Sequence, residues 1–267
     1  MPRSIFNETL RRNWRGMIFW GLGLGLLGVL IMIIIPNVDF LKQFQNFLDT
    51  MPGIIKALGM EDAAQMATPE GFISAGYFGR VILILAVYCV LAGLNITVNE
   101  EDAGIMDMLL SLPVPRWRIV LEKFAAYALM LTGVVTLGLV GLFVGGVSSA
   151  IQLDFQKLIV GNINVLPSAL LMLAFTMFAG TLFRRKNLAT AVAAFFIVGS
   201  YVLDFVGGLA SESPIAKLRV ISFFTYYDNA HVMQNGLNAG SIFLLLGSTV
   251  LLVIASVWTF QRRDVGI

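Results

Sequence analysis

The sequence predicts an all-α integral membrane protein with six transmembrane helices and both termini in the cytoplasm. Three observations point there. Charged residues make up 13% of the 267, against about 25% in an ordinary soluble domain. Hydrophobic residues make up 58% and the mean hydropathy is +0.84, more apolar surface than a soluble globule of this size can hide. Apolar runs also recur at the length that crosses a bilayer core of about 30 Å, around 20 helical residues. A soluble enzyme is excluded first. A net charge of +2 argues against nucleic acid, and one cysteine (Cys89) with one histidine (His231) leaves no disulfide and no His/Cys zinc site.

The runs fall at about 17–35, 76–98, 124–147, 166–183, 188–209 and 241–260. Lipid offers no partner to a free N–H or C=O, so each is expected to be helical. The basic residues set the direction. Arg3, Arg11, Arg12 and Arg15, then Arg116, Arg118 and Lys123, then Arg184, Arg185 and Lys186, and finally Arg262 and Arg263 share one side, twelve of the 18 Lys and Arg. That side is read as cytoplasmic. The first run is too long for a signal peptide, and no small-residue cleavage site follows it.

Residues 1–16 carry Phe6, Leu10 and Trp14 at four-residue spacing with Arg11, Arg12 and Arg15 opposite. That pattern suits a helix along the cytoplasmic headgroups, or a plain basic anchor. On the other side, Phe40, Leu41, Phe44, Phe47 and Leu48 suggest an amphipathic helix within 36–73. Residues 99–115 are the most informative stretch. Thr97 and Glu100 have capping-box spacing, with Asn99 as an alternative cap, and Glu100, Glu101 and Asp102 suit the first turn of a helix. Ile105, Met106, Leu109 and Leu112 gather on one face, and Pro113 and Pro115 end the helix in an elbow. A helix with that face needs headgroups or a protein partner to cover it. Residues 210–238, with Pro214 and the aromatic run Ile221–Asp228, read as a re-entrant or interfacial segment.

Two ionisable residues lie inside spans, where charge is costly. Arg80 and Asp204 fall at similar depth below the non-cytoplasmic surface. They are expected to pair or to share a water-filled cavity, within one chain or across a dimer. The alternative is that Arg80 snorkels to headgroups and Asp204 faces loop water. Gly21/Gly25, Gly141/Gly145 and Gly236/Gly240 have the four-residue spacing of close helix packing, within the chain or between copies. No phosphate-binding loop, no His-Glu-x-x-His and no Ser/His arrangement occurs, so neither nucleotide hydrolysis nor membrane proteolysis is expected of this chain.

The order of parts resembles the ABC-2 type permeases, the membrane subunits of ATP-binding-cassette exporters. The resemblance rests on Glu101-Asp-Ala-Gly-Ile-Met-Asp-Met-Leu-Leu-Ser-Leu-Pro-Val-Pro-Arg116 followed by Lys123, and on the ending Phe260-Gln-Arg-Arg-Asp264. Pro115 stands where the family often has a small polar residue. The resemblance implies an ABCG-like exporter fold over the whole chain, in the cell membrane (the inner membrane of a Gram-negative source). Residues 99–115 would be the coupling helix and elbow, with Glu100, Glu101, Asp102, Ile105, Met106, Leu109, Leu112 and Arg116 meeting a separate ATPase subunit, which would hold the ATP and magnesium. A second copy or a paralogue would complete the pathway, with spans two and five at the axis. Ile84, Tyr88, Phe195, Tyr201 and Asp204 are then the expected pathway-facing groups, and their apolar character suits a hydrophobic or amphipathic cargo. The competing readings are an ion-coupled transporter or channel built on Arg80 and Asp204, and a membrane scaffold without transport.

Overall fold

The computed structural model describes residues 4–34, 46, 50, 68–102, 114–148, 154–183, 185–209 and 214–262. Among them the fold is all helical, with six helices long and apolar enough to cross a membrane. In chain order the helices begin with α1 (Ile5–Ile34), α2 (Pro69–Ile96), α3 (Val98–Asp102), α4 (Arg116–Ser148), α5 (Phe155–Leu182) and α6 (Lys186–Leu209). A 3₁₀ turn (Pro214–Ile221), α7 (Phe224–Tyr227), α8 (Asn229–Asn235) and α9 (Ala239–Arg262) complete it. The short α3, α7 and α8 are not spans. If each of the six crosses, the start of α1 and the end of α9 share one side, called the terminal side below.

The amphipathic stretch expected over 1–16 is not a separate helix. Among the described residues it runs unbroken from Ile5 into the first span. At 1.5 Å per residue α1 is about 45 Å long, more than the hydrocarbon core, so its basic turns extend past the core on the terminal side. The fourth span also differs from expectation, starting at Phe155 rather than near 166. Asp154 caps it by accepting from Gln156 N at 2.9 Å. The polar residues that made 155–165 read as a loop each find a partner: Lys157 on Glu70 at 3.0 Å, and Asn162 donating to the Val135 carbonyl at 3.3 Å. Pro167 lies inside α5 without ending it, giving up one backbone donor.

α5 is the central helix, contacted by α2, α4, α6, α8 and α9. Its buried face, with Val165, Ala169, Met172, Leu173 and Met177, meets the α2 core of Val81, Leu85, Cys89 and Ala92. Gly93 of α2 lies close against Leu173 and Thr176 of α5. α1 lies along α4 in the most extensive helix pairing among the described residues. Glycine decides that geometry. A methyl group on Gly25 would stand 3.1 Å from the Leu137 carbonyl, one on Gly28 3.0 Å from Leu142 N, and one on Gly141 would collide with the Gly25 backbone. Gly21, Gly25, Gly141 and Gly145 are therefore spent inside the chain, not on a contact between copies. Gly236 and Gly240 are not such a pair: Gly236 ends α8 at φ +86°, before α9 begins.

Candidate functional site: the terminal-side hub and the α2/α6 face

On the terminal side, α2 stops because Thr97 leaves helical geometry (φ −133°, ψ −75°), and α3 restarts at Val98. The capping box expected here does not form. Thr97 Oγ1 is buried with no hydrogen-bond partner, at the close approach to Gly180 of α5. The Glu100 carboxylate turns instead to Lys123, two turns into α4. Lys123 is only 2% exposed, and its ammonium also lies 3.4 Å from the Ile96 carbonyl at the end of α2, where the helix dipole favours a cation. Asn99 donates to Asn95 at 2.5 Å, and Asn95 shares a hydrogen bond with the Tyr127 hydroxyl, one turn above Lys123.

The neighbouring Glu122 faces the other way. It accepts from the Phe6 backbone N–H at 3.0 Å, satisfying a donor that the first turn of α1 leaves open, and from Arg118 at 2.5 Å. The start of α4 thus holds α3 with one residue and α1 with the next. Of the expected partner-facing residues, Glu100 and Glu101 lie in α3 and the half-buried Arg116 opens α4. Asp102 ends α3. Ile105, Met106, Leu109 and Leu112 lie outside the described residues, as do Arg184 and the Arg263–Asp264 ending.

Toward the opposite side, the expected Arg80–Asp204 pair is not made within the chain. A π-helical turn, Ser74–Phe78, precedes Arg80, whose guanidinium folds back on it and donates to the Gly76 carbonyl at 2.6 Å. Asp204 is held by Arg219 at 2.8 Å and by the Thr225 hydroxyl at 2.9 Å. Arg219 comes from the 3₁₀ turn, 15 residues on, which a scan of single spans assigns to the loop. A cleft of about 200 Å³ opens beside this pair, lined by Ser74, Tyr201, Asp204, Asp228 and Asn229.

The segment bearing Arg219 is anchored in several places. Asn164 of α5 donates to the Tyr227 carbonyl and, at 3.1 Å, to Asn229 Oδ1. Burial pushes the Tyr227 hydroxyl above its ordinary pKa, so it stays protonated and donates to the Phe78 carbonyl at 3.1 Å. The Ser222 hydroxyl donates to the Ser200 carbonyl at 2.6 Å.

The pathway-facing guesses separate into two groups. Phe195 is 80% exposed on α6, and Tyr201 shares its open side with Val198, Val202 and Phe205. Tyr88 is instead buried, edge-on to Trp20 of α1 at 5.8 Å, and Ile84 is half-buried. The exposed stripe of α2 is Arg80, Leu83, Val87 and Leu91, one helical position away. The two helices are in contact, and each bares an apolar stripe.

A six-span bundle with a short helix on the terminal side between the second and third spans, and a folded segment before the sixth, is now in view. A family model described as ABC-2 family transporter protein matches residues 7–265. The chain belongs to the ABC-2 transporter family. No curated protein matches it. Membership makes it a multi-pass membrane protein of a family whose permeases generally work with ABC ATPase subunits. What sequence reasoning missed in this ABC-2 chain are the pairing of Lys123, read as a topology signal and as the end of the loop motif, and the parts played by Arg219, Asn164 and Tyr127. A lysine followed one turn later by tyrosine at the head of an apolar run was the available clue.

The Asp204 pairing carries a direct expectation. Both partners are part-exposed, so Asp204→Asn or Arg219→Gln alone should lower stability by about 1 kcal/mol or less. Exchanging the two charges should restore the unfolding midpoint, while exchanging Asp204 with Arg80 should not.

Proposed function

We propose that this chain is the permease subunit of an ABC exporter, forming the translocation pathway as a dimer and driven by separate ATPase subunits. The observation that carries the reading, beside family membership, is the short α3, which follows α2 at its terminal-side end and is tied into α4 by the part-buried Glu100–Lys123 ion pair. A stub anchored in that way can pass a push to the spans. The excess of basic residues makes the terminal side cytoplasmic, where the ATPase subunits would meet Ile105, Met106, Leu109 and Leu112.

In this mechanism, ATP-driven closure of the two ATPase subunits moves the stubs. Glu100 passes the displacement to Lys123, and Glu122 passes it to α1, which the glycine crossing holds against α4. The hub and the α1–α4 pair therefore move as one body relative to α6 and α9. Such a rigid-body shift changes which side of the pathway is open, and cargo binding to one state in preference to the other gives it direction. The exposed stripes of α2 and α6 are the surfaces on which a second copy or a paralogue would close the pathway, and their Leu, Val and Phe side chains favour a hydrophobic or amphipathic cargo. ATP hydrolysis belongs to the partner. An ion-coupled mechanism would rest on Arg80 and Asp204, which the chain keeps apart.

Co-purification tests the reading. The tagged chain should bring down an ATPase subunit encoded beside it, and Met106→Asp or Leu109→Asp should lose that subunit while the chain still reaches the membrane. Undiminished capture by both variants would overturn it.

A further inference from the structure

Both α6 and α9 pack on α5, and between them, near the side opposite the termini, lies an apolar cleft of about 600 Å³. Its back wall is aromatic. Phe175 stacks on Phe196 with centroids 3.8 Å apart, and Phe196 on Phe223 at 5.5 Å. Leu244 lines the cleft five residues into α9 and Leu252 thirteen, so it runs from about 7 Å to about 20 Å below that end of the helix. That span reaches from the headgroup region to mid-bilayer. Water is a poor occupant of such a lining, and a void forfeits the dispersion contacts of the wall. Hydrocarbon is the filler.

The 3₁₀ turn at the rim says which hydrocarbon. With three residues per turn, positions i and i+3 share a ridge. One ridge faces inward, Arg219 to Asp204 and Ser222 to the Ser200 carbonyl. The other two therefore face outward, as Lys217–Val220 and Leu218–Ile221, and Val220 and Ile221 line the cleft. Lys217 stands one turn from Val220 on the same ridge, about 6 Å along it. It is exposed and makes no ion pair among the described residues. The Tyr226 hydroxyl fixes this wall by donating to the Val220 carbonyl at 3.0 Å. An apolar slot with a cation at its rim complements an amphiphile whose head is negative.

We propose that this cleft binds an acidic phospholipid of the leaflet opposite the termini, one acyl chain lying against Phe175, Phe196 and Phe223 and the phosphate facing Lys217. The site is separate from the exposed α2/α6 stripes and does not depend on the transport reading.

The test uses the full-length chain in nanodiscs of phosphatidylcholine containing a minor fraction of phosphatidylglycerol, followed by stepwise delipidation and mass measurement of the lipid that stays bound. The wild type is expected to retain one phosphatidylglycerol per chain in roughly fivefold preference over phosphatidylcholine. Lys217→Glu, an exposed change that leaves the packing intact, should abolish the preference while a bound lipid persists. Ser248→Trp, which fills the cleft from α9, should lose the retained lipid altogether, with a matched Phe19→Trp change on the exposed face of α1 retaining it. Equal retention of the two lipids by the wild type would mean bulk annular lipid only, and wild-type preference in Lys217→Glu would mean that Lys217 does not face the phosphate; either would sink the proposal.

Discussion

Gly141→Ala is expected to reduce the yield of folded protein severely, and Gly141→Leu to abolish it. Inside a membrane, two helices gain no hydrophobic energy by meeting, because lipid tails are as apolar as leucine. What holds α1 to α4 is close contact, and the crossing at Gly25 and Gly141 is close enough for backbone to touch backbone. A methyl group on Gly141 meets the Gly25 backbone, which has no rotamer to yield, so the helices must part along their length. Overpacking of a tight core costs about 1–3 kcal/mol even where side chains can move, and here the expected loss lies at or beyond the upper end. The measurement is the fraction of protein that elutes as a single species from size-exclusion chromatography in mild detergent, with its unfolding midpoint. Gly23→Leu is the control on the same helix, because nothing lies within 4 Å of that position. Equal behaviour of Gly141→Leu and Gly23→Leu would refute the crossing.

The same glycines show what was readable in the sequence. Their spacing marked close packing, but spacing names no partner, and only the fold separates the α1–α4 crossing from a contact between copies. Gly236/Gly240 shared the spacing and packs nothing, because Gly236 is needed for a positive φ at the end of α8. Span existence was legible throughout, since every span carries a long apolar run. Span ends were legible where basic residues or prolines bound them, as at Lys186 and Pro115. The start of α5 was not, because Lys157, Asn162 and Asn164 look like loop residues until Glu70, Val135 and Asn229 satisfy them. Asp204 misled for the same reason. Its depth was clear, but its partner sits on a segment that folds back, and one-dimensional depth matching could offer only Arg80 as a candidate. For the expected face of α2, a choice one residue out exchanged the open stripe of Leu83 and Val87 for the buried Tyr88.

Lys123→Met is expected to destabilise the protein by about 1–3 kcal/mol, because it leaves the part-buried Glu100 carboxylate without its counter-ion and the Ile96 carbonyl without its donor. Glu100→Gln should cost a similar amount, since it leaves the more deeply buried Lys123 ammonium with only neutral acceptors, the Ile96 carbonyl and the new amide oxygen. The double change Lys123→Met with Glu100→Leu removes both charges and should recover most of the lost stability, as replacement of a buried pair by apolar groups often does. Stability and transmission then part company. If the pair only holds the fold, the stable double variant should respond to its ATPase subunits as the wild type does. If it passes force from the stub to α4, that variant should assemble with the ATPase and hydrolyse ATP while transport is lost. The paired readouts are the unfolding midpoint in detergent and transport per ATP hydrolysed in vesicles. Wild-type transport in the double variant would remove Lys123 from the mechanism and leave it a structural cation at the end of α2. Loss of transport with restored stability would fit no role but transmission, because an apolar pair can fill the space between α3 and α4 but cannot bind the stub in a fixed orientation. A salt bridge with a further hydrogen bond to the Ile96 carbonyl sets direction as well as contact, and direction is what a lever requires.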